Sequence, residues 1–471
     1  MKEAEIFDLV RKQREYFRTG ETLDTDFRIV QLKKLKNAVK RREAGIEAAL
    51  KADLGRTDTE AYLCDIFPLL MEIDETIANV KKWARQERHF SGLHCFPSLI
   101  TKVNRLPYGV CLIIAPYNFP FLLSLGVLAA AIAGGNTAVL KLSSKSPAST
   151  GLIREIIEDV FEERYIALVD GGHEAADACL NQRFDKIFYT GSPRVAVHVM
   201  KKAAENLTPV ALELGGETGN WCIVRKDADL RDAARKIAFI KVLNAGQICI
   251  NINQVAVAEE VAGEFIGYLK EELRRQAGAI PFQNAEYPRL IAKAAYERCA
   301  ALSEKYRERI IFGGEGSPDE LKYSPTLIYP VDIDESIVQN ELFCPLLPIV
   351  PFKDGKIDSL IQTIEEREHG LALYMFTADR RWAENIMSRM QFGGGCINEV
   401  IMHLMVKGVP FNGTGHSGMG AYHGKWGFAE FTHPQTLLIG SSRLNLSLRE
   451  HPYTGKGAKS KKTLLKFLSR G

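Results

Sequence analysis

Residues 106–142 read LPYGVCLIIAPYNFPFLLSLGVLAAAIAGGNTAVLKL, with no charged side chain before Lys141. A run of this length could cross a bilayer. Pro107, Pro116, Pro120, Gly126, Gly134, Gly135 and Asn136 cut it into short pieces, and lipid would leave the backbone groups at each break unpaired. The run therefore reads as buried: a strand over 110–115, a loop, a helix over 121–133 and a strand over 137–142.

Outward from this stretch the alternation continues, with a helix over 149–161 and a strand over 166–170. Strands separated by helices imply a parallel sheet with right-handed crossovers, whose ligands sit at the carboxyl ends of the strands. Asn118 and Lys141 fall at two such ends. The next strand, from Lys186, runs into Thr190-Gly191-Ser192-Pro193. Ser192 suits an N-cap and Pro193 the first helical position, so the free N–H groups could face a pyrophosphate; an ordinary helix start reads the same way. A second α/β unit begins near Val210 with Glu213, a helix over 229–242, Cys249, a strand over 254–258 and a helix over 262–275. A further αβ stretch covers 357–377, and a Gly-rich block, 391–431, leads to a strand over 436–439. Upstream, 1–82 reads as amphipathic helices, and 83–100 as a less regular excursion towards a subunit contact.

At 471 residues the chain exceeds what one core supports and should form two or three domains. A net charge of +3 with 25% charged residues gives no reason to expect nucleic acid as a partner. Nine scattered cysteines without a CxxC pair, and a charged N-terminus without a leader pattern, fit reduced thiols and a cytoplasmic location. The ten histidines show no metal-ligand spacing and HExxH is absent, so no metal site is expected.

Cys249 lies in Asn244-Ala245-Gly246-Gln247-Ile248-Cys249-Ile250. A free cysteine is ordinarily a small core residue. Here Glu213-Leu214-Gly215-Gly216 and the Asn118 of Pro116-Tyr117-Asn118-Phe119-Pro120 accompany it. A thiol, a carboxylate and an amide are the parts needed for attack on a carbonyl, activation of water and support of an oxyanion. Two features point less clearly. Gly413-Thr414-Gly415-His416-Ser417-Gly418 matches GxGxxG but lacks the initial βαβ context, so it reads as a tight structural loop. The segment after 448 carries Arg449, Arg470 and five lysines against Glu450, with Leu464, Leu465, Phe467 and Leu468 among them. It fits a solvated tail, a subunit arm or a membrane-surface helix, though not stable membrane insertion.

Taken together, these motifs resemble the aldehyde dehydrogenase superfamily, in particular its class 3 branch, over about residues 20–440. Gly135-Asn136-Thr137 leading to Lys141, Glu341 with Phe343 and Pro345, and Met419 to Lys425 complete the ordered set. The resemblance implies an α/β fold: a Rossmann-type cofactor domain (1–82 and 105–209), an α/β catalytic domain (210–420) and a small β oligomerisation extension (83–104 and 421–445), followed by a basic tail (446–471). It implies a homodimer that oxidises a small-molecule aldehyde, aliphatic or aromatic, with NAD or NADP. Cys249 would be the nucleophile, Asn118 an oxyanion donor and Glu213 the general base. Lys141 and Glu341 would hold ribose hydroxyls, Gly191 and Ser192 the pyrophosphate, and Phe343 would pack near the nicotinamide ribose. Tyr117, Leu243, Ile248, Ile250 and Phe411 would line the substrate pocket.

The sequence departs from the family pattern at several points. Ser144 stands where many members place a Glu on the adenosine ribose, and Lys145 adjoins it, which favours acceptance of NADP. Glu217-Thr218-Gly219-Asn220-Trp221 replaces a shorter run after the paired glycines, with a possible shift of Glu213; Cys344 replaces a Gly after Phe343. A relative that passes the acyl group to coenzyme A would not need Glu213, and a non-catalytic scaffold would need none of the three.

Overall fold

The computed structural model describes residues 1–444, 450, 451 and 453–468. Residues 445–449, 452 and 469–471, with Arg449 and Arg470 of the basic tail, lie outside the described residues.

The uncharged stretch forms the strand Val110–Ile114, a π-helical turn at Leu122–Gly126, the helix Val127–Gly134 and the strand Thr137–Lys141. All eight residues of that helix are buried, which is why it shows no polar face. The two strands pair in parallel and centre a six-stranded sheet ordered Gly418–Met419, Val210–Leu214, Lys186–Gly191, Val110–Ile114, Thr137–Lys141, Ile166–Val169. Every pairing is parallel except the outermost, Gly418–Met419 on Val210–Leu214. From Val110–Ile114 the chain first builds one side of the sheet and then returns to build the other. The resulting switch point lies between Val110–Ile114 and Lys186–Gly191, where such sheets open a crevice. Both strands point their carboxyl ends, and so Asn118 and Gly191, towards it.

A second, seven-stranded sheet runs Ile310–Phe312, Thr326–Ile328, Leu346–Phe352, Ile252–Ala258, Asn220–Val224, Ala372–Phe376, Gly394–Ile397, parallel apart from its first strand. One sequence expectation changes here. Val210–Leu214, carrying Glu213, belongs to the first sheet, so the catalytic unit does not begin at residue 210. Its alternation fits either sheet; pairing with Lys186–Gly191 decides the matter. Residues 418–419, assigned to the same unit, also join the first sheet.

A third sheet is antiparallel: Glu87–Phe90, Ile100–Pro107 and Thr432–Ile439. It extends past residue 104 to Pro107, and leaves Ile100, Leu437, Leu438 and Ile439 exposed. Of the N-terminal helices, Glu3–Phe17 packs on the strands Val110–Ile114 and Thr137–Lys141, while Thr25–Arg41 and Phe67–Trp83 pack on each other and on the buried helix Val127–Gly134, with Leu32, Leu35, Val39, Leu69 and Ile73 in the core.

Candidate active site

After the helix Leu230–Val242 the chain turns a corner in which Asn244, Ala245 and Gly246 have φ of 51°, 50° and 75°. Left-handed backbone at two non-glycine residues costs on the order of 1–3 kcal/mol each and persists only where the surroundings hold it. They do so here. Asn244 N–H donates to Glu60 Oε1 at 2.7 Å, and Arg56 Nε donates to Asn244 Oδ1 at 2.9 Å. Gln247 Nε2 donates to the Asn244 and Arg289 carbonyls, both at 3.0 Å. A side chain at Gly246 would stand 2.6 Å from the Cys344 carbonyl oxygen, so only glycine fits. Asn220 Nδ2 donates to the Cys249 and Asn251 carbonyls at 2.8 Å each, fixing the backbone on either side of the thiol's turn.

The Asn118 amide reaches the same turn, with Nδ2 donating to the Gln247 carbonyl at 3.2 Å. Its backbone carbonyl accepts from Arg56 and from Asn244 Nδ2. Arg56 is in turn paired with Asp65, whose other oxygen accepts the Phe121 and Leu122 N–H groups. One buried cation thus ties the loop carrying the amide to the loop carrying the thiol.

Glu213 is buried at the end of its strand, and neither carboxyl oxygen has a hydrogen-bond partner of ordinary geometry among the described residues. Burial pushes its pKa up to about 7, with proximity to Cys249 and the field of His423 opposing. The Cys249 thiol is driven well above its ordinary value by burial first, then by Glu213 and Glu341. Glu341 is itself raised to about 8 by burial and by Glu213, against the pull of Arg298. Both acids therefore hold protons at higher pH than a solvated carboxyl, and the thiol needs an acceptor to ionise.

All three groups border a cavity of about 1010 Å³ that opens along the switch-point crevice. Of the residues expected there, Tyr117, Asn118, Gly191, Ser192, Glu213, Cys249, Glu341 and Phe343 line it. The helix Pro193–Ala204 starts at its wall with Ser192 at the N-cap, although the Ser192 side chain makes no capping bond. Three cationic side chains, Lys145, Arg194 and Arg298, stand on the lining. At Gly215 a side chain would collide with the Glu341 carboxyl, and at Gly191 with the Tyr189 hydroxyl. Volume, cations, a helix N-terminus and bare glycine backbone suit a dinucleotide.

Other expected residues lie elsewhere. Lys141 Nζ donates to the Leu142 and Gly171 carbonyls at 2.7 and 2.8 Å and is absent from the lining, as is the exposed Ser144. Leu243, Ile248, Ile250 and Phe411 are taken up by the main core, Phe411 packing against Tyr422 and His423, so none lines the cavity. Sequence reasoning also missed residues. Val197 and Met200, apolar on the unburied stripe of Pro193–Ala204, line the cavity; their position off the Ala196, Val199, Ala203 face was the available signal. Arg298 and the Arg56–Asp65 pair had none.

The chain's residues 1–437 match the family model described as the aldehyde dehydrogenase family. The chain belongs to the aldehyde dehydrogenase family. It is 38% identical to the 4,4'-diaponeurosporen-aldehyde dehydrogenase of Staphylococcus aureus, over 94% of this chain and 95% of that one. It is 35% identical to aldehyde dehydrogenase family 3 member A2 of Mus musculus, over 91% and 87%. A solved substrate-bound state of Staphylococcus aureus AldH superposes with a TM-score of 0.93 at 36% identity, covering 98% of each chain. As a family member the protein is an enzyme that oxidises aldehydes with NAD or NADP.

Within this family frame the run Glu217–Trp221 acquires a use. Besides Asn220's grip on the Cys249 turn, the Glu217 carbonyl accepts the Glu341 N–H at 2.8 Å, and Trp221 is buried in the second sheet. Glu213 remains on its strand, paired with Thr190 and Gly418. The GxGxxG run forms a short turn at Gly415–Ser417 closed by Thr414 and Ser417, and its last glycine is that Gly418 partner.

Proposed function

We propose that Cys249 is the nucleophile, Asn118 an oxyanion donor and Glu213 the general base in the oxidation of aliphatic or aromatic aldehydes. The supporting observation is the meeting of a thiol, a side-chain amide and a buried carboxyl on one wall of a dinucleotide-sized cavity. The Cys249 proton passes to Glu213, whose pKa near 7 suits a group that must both take and return protons. The thiolate adds to the aldehyde carbon, and the oxyanion of the thiohemiacetal is held by the Asn118 amide and the Cys249 N–H. The bound nicotinamide cofactor supplies the hydride acceptor. Once Glu213 has passed the thiol's proton on to solvent, it deprotonates the water that hydrolyses the thioester left on Cys249, which departs as the thiolate. Gly191, Ser192 and the helix behind them would hold the pyrophosphate, Glu341 a ribose hydroxyl, and Phe343 and Tyr117, whose rings meet edge to face at 6.1 Å, the wall beside the nicotinamide. Lys145 lines the cavity, its ammonium 5.4 Å from the centre of the Tyr117 ring, and no carboxylate stands at position 144, which supports acceptance of NADP at least as well as NAD. Exposed Ile100, Leu437, Leu438 and Ile439 on the third sheet support a homodimer, and the nine free cysteines a cytoplasmic setting.

The test is reduced-cofactor formation over a panel of aldehydes with NAD or NADP. Cys249→Ala should abolish turnover, Asn118→Ala should lower it by about 10²–10³, and Glu213→Gln should give one burst and then arrest. Turnover in Cys249→Ala, or strong discrimination against NADP, would remove the corresponding part of the reading.

A further inference from the structure

The helix Lys456–Leu468 carries Lys459, Lys462 and Lys466 along one stripe and Leu464, Phe467 and Leu468 along another, each at spacings of three and four. It contains five lysines and no acidic residue. It packs against the short turn Leu93–Cys95, yet Leu464, Leu465 and Phe467 stay 46, 52 and 74% exposed, and Leu93 of that turn 64%. The turn lies in a stretch, Arg88 to Arg105, that also lacks acidic residues. An apolar stripe flanked by ammonium groups is the pattern of a helix that lies in a bilayer interface, where aliphatic and aromatic side chains enter the acyl boundary and lysines meet phosphate groups. No helix among the described residues is long and apolar enough to cross a membrane.

We propose that this helix, with Leu93 beside it, is a docking surface for an anionic lipid bilayer. The charge selects the occupant. Lys461 donates to the Glu450 carbonyl within the chain; to the lysine stripe that includes Lys459 and Lys462, a second copy of the chain would have to bring a matching acidic surface, whereas anionic headgroups supply one wherever the apolar stripe can enter. Docking is peripheral and reversible, because a single short amphipathic helix binds marginally and depends on both its charge and its buried area. A homodimer would present two such helices and bind more tightly through their combination. Enzyme held in this way meets aldehydes that partition into lipid.

The full-length protein is sedimented with vesicles of phosphatidylcholine alone or mixed with phosphatidylglycerol, at low and at high salt. The expected result is binding to the mixed vesicles only, released by salt. The variants K459E/K462E/K466E and L464S/F467S should each lower the bound fraction on the order of tenfold or more, while oxidising a short water-soluble aldehyde at the rate of the unaltered enzyme. Equal binding to both vesicle types, no binding to either, or variants that sediment like the unaltered protein would overturn the proposal. So would variants that change the oligomer mass in solution while vesicle binding is absent throughout, an outcome that assigns the helix to a subunit arm.

Discussion

Arg56 and Asp65 form an ion pair in which both side chains are completely buried, and the same guanidinium bonds Asn244 and the Asn118 carbonyl. The corner that carries Cys249 and the loop that carries Asn118 are thereby positioned from one point in the N-terminal helical layer. Arg56→Met leaves the Asp65 carboxyl buried without its cation, which typically costs about 3–5 kcal/mol. The denaturation midpoint should fall accordingly. Turnover measured well below that midpoint should fall too, because Asn118 and Asn244 lose their common anchor. An Arg56→Met protein with unaltered stability and rate would show that the pair is dispensable.

Glu213 links activity and stability to pH in opposite directions. Its carboxyl titrates at about 7 in the fold against an ordinary 4.5. Between those values the native state binds more protons than the unfolded chain, so stability is full below the window and declines as pH rises through it. Glu213→Gln cannot ionise and escapes the decline. The variant should melt above the unaltered enzyme at about pH 8 and converge with it near pH 4, with a ceiling of roughly 3 kcal/mol at about 1.4 kcal/mol per unit. The thioester-hydrolysis rate of the unaltered enzyme should instead climb through about pH 7, as the base becomes ionised. Melting curves and single-turnover rates across this range check both signs.

Gly215 faces the Glu341 carboxyl so closely that a methyl group would collide with it. Gly215→Ala should displace Glu341, a proposed ribose partner, and weaken cofactor binding by up to about tenfold, the loss of one hydrogen bond. Titration of reduced-cofactor fluorescence reads this directly. Binding as tight as in the unaltered protein would mean that Glu341 does not hold the ribose.

Much of this arrangement is legible in the sequence because short apolar strands between helices specify a parallel sheet, and parallel sheets place ligands at their carboxyl ends. Asn118 and Gly191 follow from that logic, whereas Lys141, at another such end, turns to the Leu142 and Gly171 carbonyls, and Cys249, which precedes its strand, is legible only from its loop and its companions. The strand of Glu213 was assignable to either sheet, since alternation identifies a strand without naming its neighbour. Leu243, Ile248, Ile250 and Phe411 pack into the core rather than onto the cavity, since an apolar side chain near Cys249 suits a core as well as a pocket. Arg56, Asp65 and Glu60 were invisible for another reason. They sit in a helical layer that reads as solvated, and contacts between residue 56 and residues 118 and 244 leave no periodic trace.

The strand that carries Glu213 acquires its outer neighbour only from Gly418 and Met419, near the far end of the chain. During synthesis the sulfur and the amide can be in place while the acid still sits on a raw sheet margin open to water and to other strands. Until residue 418 is available, the outer hydrogen-bonding groups of that strand stay unpaired.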